Sequence, residues 1–237
     1  MISLPVAIVM ILPYRLRYGL GGYRFTMKKL TGILLAAMML FGLVACGGEK
    51  TENSNGSGSQ DVQENSGGTT EISGLHHVEI TIQDFGTISV ELDADTAPIT
   101  VANFLKLAEE GFYDGLTFHR IMSGFMIQGG DPQGDGFGGS DENIIGEFAV
   151  NGIENNLSHT RGAISMARAK AYNSASSQFF IVHEDSLFLD GQYACFGYVT
   201  DGIEVVDAIC DAVTPIDDNG TVLAADQPVI ESVKVID

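Results

Sequence analysis

The 237-residue chain contains no tryptophan, three cysteines and six prolines, and it is short of positive charge. Lys and Arg total 12 against 31 Asp and Glu, for a formal net charge of −19. Five of the 12 (Arg15, Arg17, Arg24, Lys28, Lys29) and none of the 31 acids precede Cys46, which leaves seven against 31, a net −24 beyond that point. Such a surface repels phosphate backbones and anionic headgroups, which excludes nucleic-acid binding and membrane attachment through a basic patch. Past Cys46 the thiols are Cys195, in an apolar strand-like run, and Cys210, on a helical face. Both read as small buried hydrophobes, and their spacing leaves a disulfide open. A long membrane-spanning run is missing too: Leu30 to Val44 is 15 residues, short of a comfortable span.

That run is informative all the same. Met27-Lys28-Lys29 opens it and Leu43-Val44-Ala45-Cys46 closes it. Basic flank, apolar core and small residues before a cysteine make a secretory signal, and the LVAC ending resembles a bacterial lipobox. Cys46 is then the lipidated first residue of a mature protein, held outside the cytoplasm by its acyl chains, two or more of which suffice to anchor it. Residues 1–26 precede a complete signal and read as an over-extended start, with a double-spanning leader as the alternative. Residues 46–74 follow as a Gly/Ser/Asn/Glu-rich segment that cannot bury enough surface to fold, hence a flexible tether. Residues 75–237 remain as one domain with room for a core.

Within it, HVEITI (77–82) and GTISVEL (86–92) alternate around the turn Asp84-Phe85-Gly86 and predict a hairpin. Thr96-Ala97-Pro98 predicts a helix start, with Thr96 as cap and Gly111 as terminator. Phe118, Arg120 and Met122 alternate with His119 and Ile121 in a third strand, and Phe125 to Gln128 make a fourth. Further strands are expected at 163–167, 178–183, 195–200 and 228–236, with a second helix over Ile203 to Val213. Many short strands with two helices predict an all-β-dominated fold: a closed eight-stranded antiparallel β-barrel capped by two α-helices.

Several motifs fail on inspection. Gly134-Asp135-Gly136-Phe137-Gly138-Gly139 matches GxGxxG, but no helical stripe follows to receive a pyrophosphate and Asp135 would face it. Asp131, Asp135, Asp141 and Glu142 lack calcium-loop spacing and read as a solvated acidic loop. His119 and His183 read as satisfied core histidines. Ser158-His159 has no nucleophile-elbow context, so nothing points to hydrolysis. No cofactor and no metal are expected.

One puzzle is left. FHRIMSGFMIQGGD (118–131) places a lone arginine among apolar residues, where a charge must be paired, solvated or used. Together with GAISMARA (162–169), NSASSQFFIV (173–182) and LFLDGQYACFGYV (187–199), it strongly resembles the cyclophilin family of peptidyl-prolyl cis-trans isomerases, specifically its small bacterial members. The likeness runs from about residue 77 to the C-terminus. It implies a site on the barrel's outer face, with Arg120 as the catalytic residue facing a solvent-lined groove and Phe125, Met126, Phe180 and Leu189 as the recess for a proline ring. It further implies Gln128 on substrate backbone, Gln178 shaping the groove, and Ala167 with Arg168 at the subsite before proline. Phe188 and Tyr193 stand where many eukaryotic members have Trp and His, which implies weaker cyclosporin binding with activity retained. Arg168 stands where many relatives have asparagine, and Ser123 where proline is usual.

The resemblance fits the chemistry. Rotation about an X–Pro bond must break amide resonance, a barrier near ~20 kcal/mol, without cleaving a bond. The twisted nitrogen gains a lone pair, and a fixed guanidinium binds it better than it binds either planar state. Proline-containing exported polypeptides are the expected partners and a monomer the expected state. A proline-segment binding module or chaperone with incidental turnover is the alternative. The bland account of Arg120 is a rim ion pair with Asp114 or Glu147.

Overall fold

The computed structural model describes residues 72–237. The expectations for 1–26, 27–45, Cys46 and the tether up to residue 71 lie outside the described residues.

Eight strands and two helices are present: β1 (Leu75–Ile82), β2 (Gly86–Asp93), α1 (Pro98–Glu109), β3 (Thr117–Met122), β4 (Met126–Asp131), β5 (Ala163–Met166), β6 (Phe179–Val182), β7 (Cys195–Asp201), α2 (Ile203–Ala212) and β8 (Ile230–Val235). The β1–β2 hairpin pairs Leu75 with Asp93 through Ile82 with Gly86, and Asp84 takes a positive φ of 66° in its turn. Val78, Ile80, Ile82, Ile88, Val90 and Leu92 alternate inward and are buried. In α1 the stripe Val101, Phe104, Leu105 and Ala108 is buried as its period requires. Cys195 and Cys210 are buried free thiols, and burial pushes their pKa values up to about 12 and about 11. They are inert small hydrophobes.

All strand pairs are antiparallel, in the order β3-β4-β6-β5-β7-β2-β1-β8. The sheet is therefore open, a half-barrel with β3 and β8 at its ends, and the expected closed barrel is corrected. The two ends meet only at a short seam. Phe118 N–H donates to the Pro228 carbonyl at 3.0 Å and Ile230 N–H to that of Leu116 at 2.8 Å. Pro228 has no N–H to extend the ladder. Farther along β3, its outer edge is taken by a loop: Ile121 N–H donates to Gly220 O at 2.8 Å, and Val222 N–H to His119 O at 3.0 Å. Gly220 has φ +84°, and a Cβ there would lie 2.7 Å from the Ile121 carbonyl, so only glycine closes this loop onto the strand.

Three further expectations fail locally. The cap of α1 is not Thr96, which bonds Asp93 instead. Glu147 reaches the helix start from 47 residues away, accepting from Thr100 N–H at 2.7 Å, Thr100 hydroxyl at 2.6 Å and Ile99 N–H at 3.0 Å. A buried carboxylate suits the positive end of a helix. Nor is Asp131 solvated: it is 1% exposed and accepts from the N–H groups of Gln133, Asp135 and Gly136. The glycine-rich loop thus wraps a carboxylate from its own chain. His119, expected to be satisfied, is buried with neither ring nitrogen partnered among the described residues.

Candidate active site

The position of Arg120 depends on a defect in β3. Phe118 pairs with Gly129, and Arg120 with the very next residue, Gln128, so His119 is an extra residue. A bulge of this kind breaks period-two alternation. Phe118 and Ile121 both enter the core, whereas Arg120 emerges on the outer face. The expectation that Phe118 and Arg120 share a side is corrected by this bulge.

On the outer face Arg120 is half-buried and fixed at several points. Its Nε donates to the Asn219 carbonyl at 2.7 Å, Nη1 to Gln128 Oε1 at 3.2 Å and Nη2 to Met122 Sδ at 3.2 Å. Its Cζ lies 5.9 Å from the Phe125 ring centroid. Among the described residues it forms no salt bridge; Glu147, one suggested partner, is committed to α1. Burial lowers the guanidinium pKa from its ordinary value, opposed by Tyr193 and Asp217, and the group stays charged at neutral pH. The Asn219 carbonyl belongs to the loop that closes over β3. Asp217 organises that loop through the N–H groups of Asn219 at 3.0 Å and Thr221 at 2.9 Å. Asp217-Asp218-Asn219-Gly220 reads as a turn, but nothing in it names Arg120 as its neighbour.

Arg120 borders a hollow of about 130 Å³ with Phe125, Met126, Gln128, Ala167, Arg168, Phe180, Leu189 and Tyr193. Two further groove residues stand beside it. Gln178 lines an adjoining cavity of about 360 Å³, and Phe188 is 66% exposed outside, its ring 5.6 Å from that of Phe125. The amides form a chain. Gln128 Nε2 donates to Gln178 Oε1 at 2.8 Å, and Gln178 Nε2 to Gly138 O at 2.7 Å. That leaves Gln128 Oε1 as acceptor for Arg120.

Behind the hollow is an arrangement no local motif announced. His159, fully buried, stacks on Phe180 at 6.0 Å and 17°. Its Nδ1 donates to Asp190 at 2.8 Å, and Ser165 hydroxyl lies 2.9 Å from Nε2. Burial lowers the His159 pKa against the pull of Asp190, so the neutral ring accepts from Ser165. The order Asp–His–Ser is that of a hydrolytic triad, but Ser165, paired with Phe180 across β5 and β6, is fully buried and offers its hydroxyl no access from solvent. It is a support for the ring. On the other flank, His183 Nδ1 accepts from Gly124 N–H at 2.9 Å and its Nε2 meets Asp207 at 3.1 Å, bracing the turn that carries Phe125.

Known proteins similar to this chain share one family. The family model for cyclophilin type peptidyl-prolyl cis-trans isomerases matches residues 77–235. Peptidyl-prolyl cis-trans isomerase B of Bacillus subtilis is 50% identical over 123 residues, spanning 52% of this chain and 82% of its own. A peptidyl-prolyl cis-trans isomerase of Synechococcus elongatus is 48% identical over 116 residues, spanning 49% and 75%. A Cryptosporidium parvum cyclophilin crystallised with the dipeptide Ala-Pro superposes with a TM-score of 0.60 at 31% identity, covering 68% of this chain and 99% of that one. The chain belongs to the cyclophilin family of peptidyl-prolyl cis-trans isomerases.

Proposed function

We propose that the chain catalyses X–Pro rotation with the proline ring seated against Phe125, Met126, Phe180 and Leu189 and with Arg120 as the catalytic residue. One observation carries this: a charged, immobilised guanidinium, without a carboxylate partner among the described residues, stands on the wall of a small hollow that Phe125, Met126, Phe180 and Leu189 also line. As the amide twists, the prolyl nitrogen becomes an acceptor, and a donor already held by Asn219 and Gln128 needs no reorganisation to meet it. A low-polarity wall strengthens that hydrogen bond. No proton leaves and no nucleophile is needed. Gln128 has its Nε2 committed to Gln178, which keeps its carbonyl oriented beside Arg120.

The clients are proline-containing exported polypeptides, and the chain reaches them as a lipoprotein. The sequence around Cys46 supports acylation there, with residues 46–74 as tether and 75–237 as the working domain. X–Pro isomerisation takes tens to hundreds of seconds unaided, which makes a catalyst useful to newly translocated chains.

Rotation is tested with a prolyl peptide assay on wild type and Arg120→Ala. Loss of the transition-state interaction lowers the rate at least ~10²-fold, about 2.7 kcal/mol. A variant that keeps full rate removes Arg120 from the mechanism. One that loses rotation yet still protects unfolded clients makes the protein a binding module. Labelled palmitate incorporated by wild type but not by Cys46→Ala supports the anchor; equal labelling overturns it.

A further inference from the structure

Arg168 is the second guanidinium of the groove, and rotation makes no use of its charge. Its Cζ lies 4.5 Å from the Tyr193 ring centroid, 5.1 Å from Phe148 and 5.3 Å from Tyr172. Its Nε and Nη2 both donate to the Gln192 carbonyl, at 3.1 and 2.8 Å, and Nη1 donates to that of Ala169 at 3.1 Å. Three of a guanidinium's five N–H donors are thus spent on neutral carbonyls, and among the described residues the other two have no protein acceptor. Among the described residues no carboxylate pairs with it. In so acidic a chain that is notable, since Arg161 and Lys106 do pair, with Asp207 and Glu142.

Arg168 is also a wall shared by the two cavities. With Gln128 and Ala167 it lines both the 130 Å³ hollow and its 360 Å³ neighbour. Glycines, serines and amides supply most of the rest of the larger cavity, and of its lining residues Arg168 alone is charged.

We infer that Arg168 sets a substrate preference: a client carries an acidic side chain within two residues of its proline, seated in the larger cavity against this guanidinium. The proposal rests on the proline occupying the smaller hollow. Three rings hold the cation in place, so little side-chain freedom is lost when a carboxylate arrives. The pair that forms is charge-assisted and planar on both sides. The net negative charge of the chain opposes an acidic client at long range, so the preference acts at contact distance. It is best read near 0.15 M salt, where fields fade over about 8 Å.

The test uses the full chain and prolyl peptides carrying Glu or its neutral isostere Gln at each of the two positions on either side of proline, with an all-alanine peptide as baseline. At one position kcat/KM for Glu exceeds that for Gln about three- to tenfold, through KM. Arg168→Gln brings the ratio to about one, and Arg168→Lys retains part of it. Because each ratio is taken within one variant, any change in its absolute rate cancels. Should Arg168→Gln disturb the aromatic cluster, wild type in 1 M salt decides the matter instead, since screening must shrink the ratio. A ratio of one at every position in wild type, or a ratio that survives Arg168→Gln, overturns the preference and leaves rotation standing. Failure to turn over even the alanine peptide overturns rotation, and the preference with it.

Discussion

Two apolar clusters share the same strands and face opposite ways. Phe179 and Ile181 of β6, Ile127 of β4, Ile164 and Met166 of β5 and Phe196 of β7 belong to the large inner cluster. Their immediate neighbours Phe180, Val182, Met126, Ala163 and Cys195 join Leu189 in a small cluster on the other face. The residue types hardly differ. Inside, α1 packs against β8 and β2, and its Phe104 meets Tyr113, Phe179 and Phe196 at ring distances of 5.0 to 5.4 Å, leaving no room for a ligand. Outside, neither α1 nor α2 covers the cluster, and its rings stand around a hollow beside Arg120. Closure by a packed element makes a core; its absence makes a binding recess.

Substitutions on the two faces distinguish a closed core from an open recess. The largest expected effect is at Phe179→Ala, which opens a cavity in a closed core and costs ~3–5 kcal/mol of stability by denaturant titration. Phe180→Ala only enlarges an existing hollow. It costs at least ~1 kcal/mol less than Phe179→Ala, while kcat/KM for prolyl peptides falls more than about tenfold with the loss of the ring's wall. Equal stability losses would mean that the outer cluster is core as well. Arg120→Ala, with its rate loss of ~10² or more, keeps its midpoint in thermal melts within about 2 °C, because the bulge holds that side chain out of the core.

Glu147 comes next. Its carboxylate serves the inner side, at the start of α1, and Glu147→Ala should lower stability by ~1–2 kcal/mol. An unchanged melting curve would show that water replaces this cap without loss.

The smallest effects are those of pH. Burial lowers the pKa values of His119 and His159. As pH falls through about 6.5 the unfolded chain takes up protons at both while the folded protein resists. Stability therefore declines on the acid side. His77 acts in the opposite sense: hydrogen bonding to Asp237, with help from Glu91, raises its pKa. Its contribution is full below pH 6.5 and fades as pH rises through the folded value. His119→Leu should flatten the acid-side slope of melting temperature against pH. At pH 7.5 it should be neutral or stabilising by up to ~1 kcal/mol, since two unpartnered ring nitrogens leave the interior. A slope identical to wild type would assign the acid sensitivity elsewhere.

Most elements were legible because their signals are local. Period-two runs marked the hairpin and the later strands, and the Val101–Ala108 and Val205–Ile209 stripes marked the helices, to within a few residues. Of the ten groove residues implied by the resemblance, eight line one hollow with Arg120, Gln178 shapes the adjoining cavity, and Phe188 stands at the rim beside Phe125. What was illegible depends on partners far along the chain. Thr96 offered a plausible cap, but Glu147 supplies it. Asp131 looked like part of a solvated loop, but that loop folds around it. The Asp190–His159–Ser165 stack joins three segments that share no motif.

By itself the sequence determined the alternation of faces, the helical stripes and the presence of a guanidinium among apolar neighbours, because side-chain periodicity and turn chemistry act over a few residues. It took long-range contacts to settle that the sheet stays open and how Arg120 reaches the outer face that the resemblance implied. The first depends on a loop from residues 219–222 competing for the edge of β3. The second depends on one extra residue in a strand pairing. Both are choices between hydrogen-bond partners distant in sequence, and they are made when the chain closes on itself.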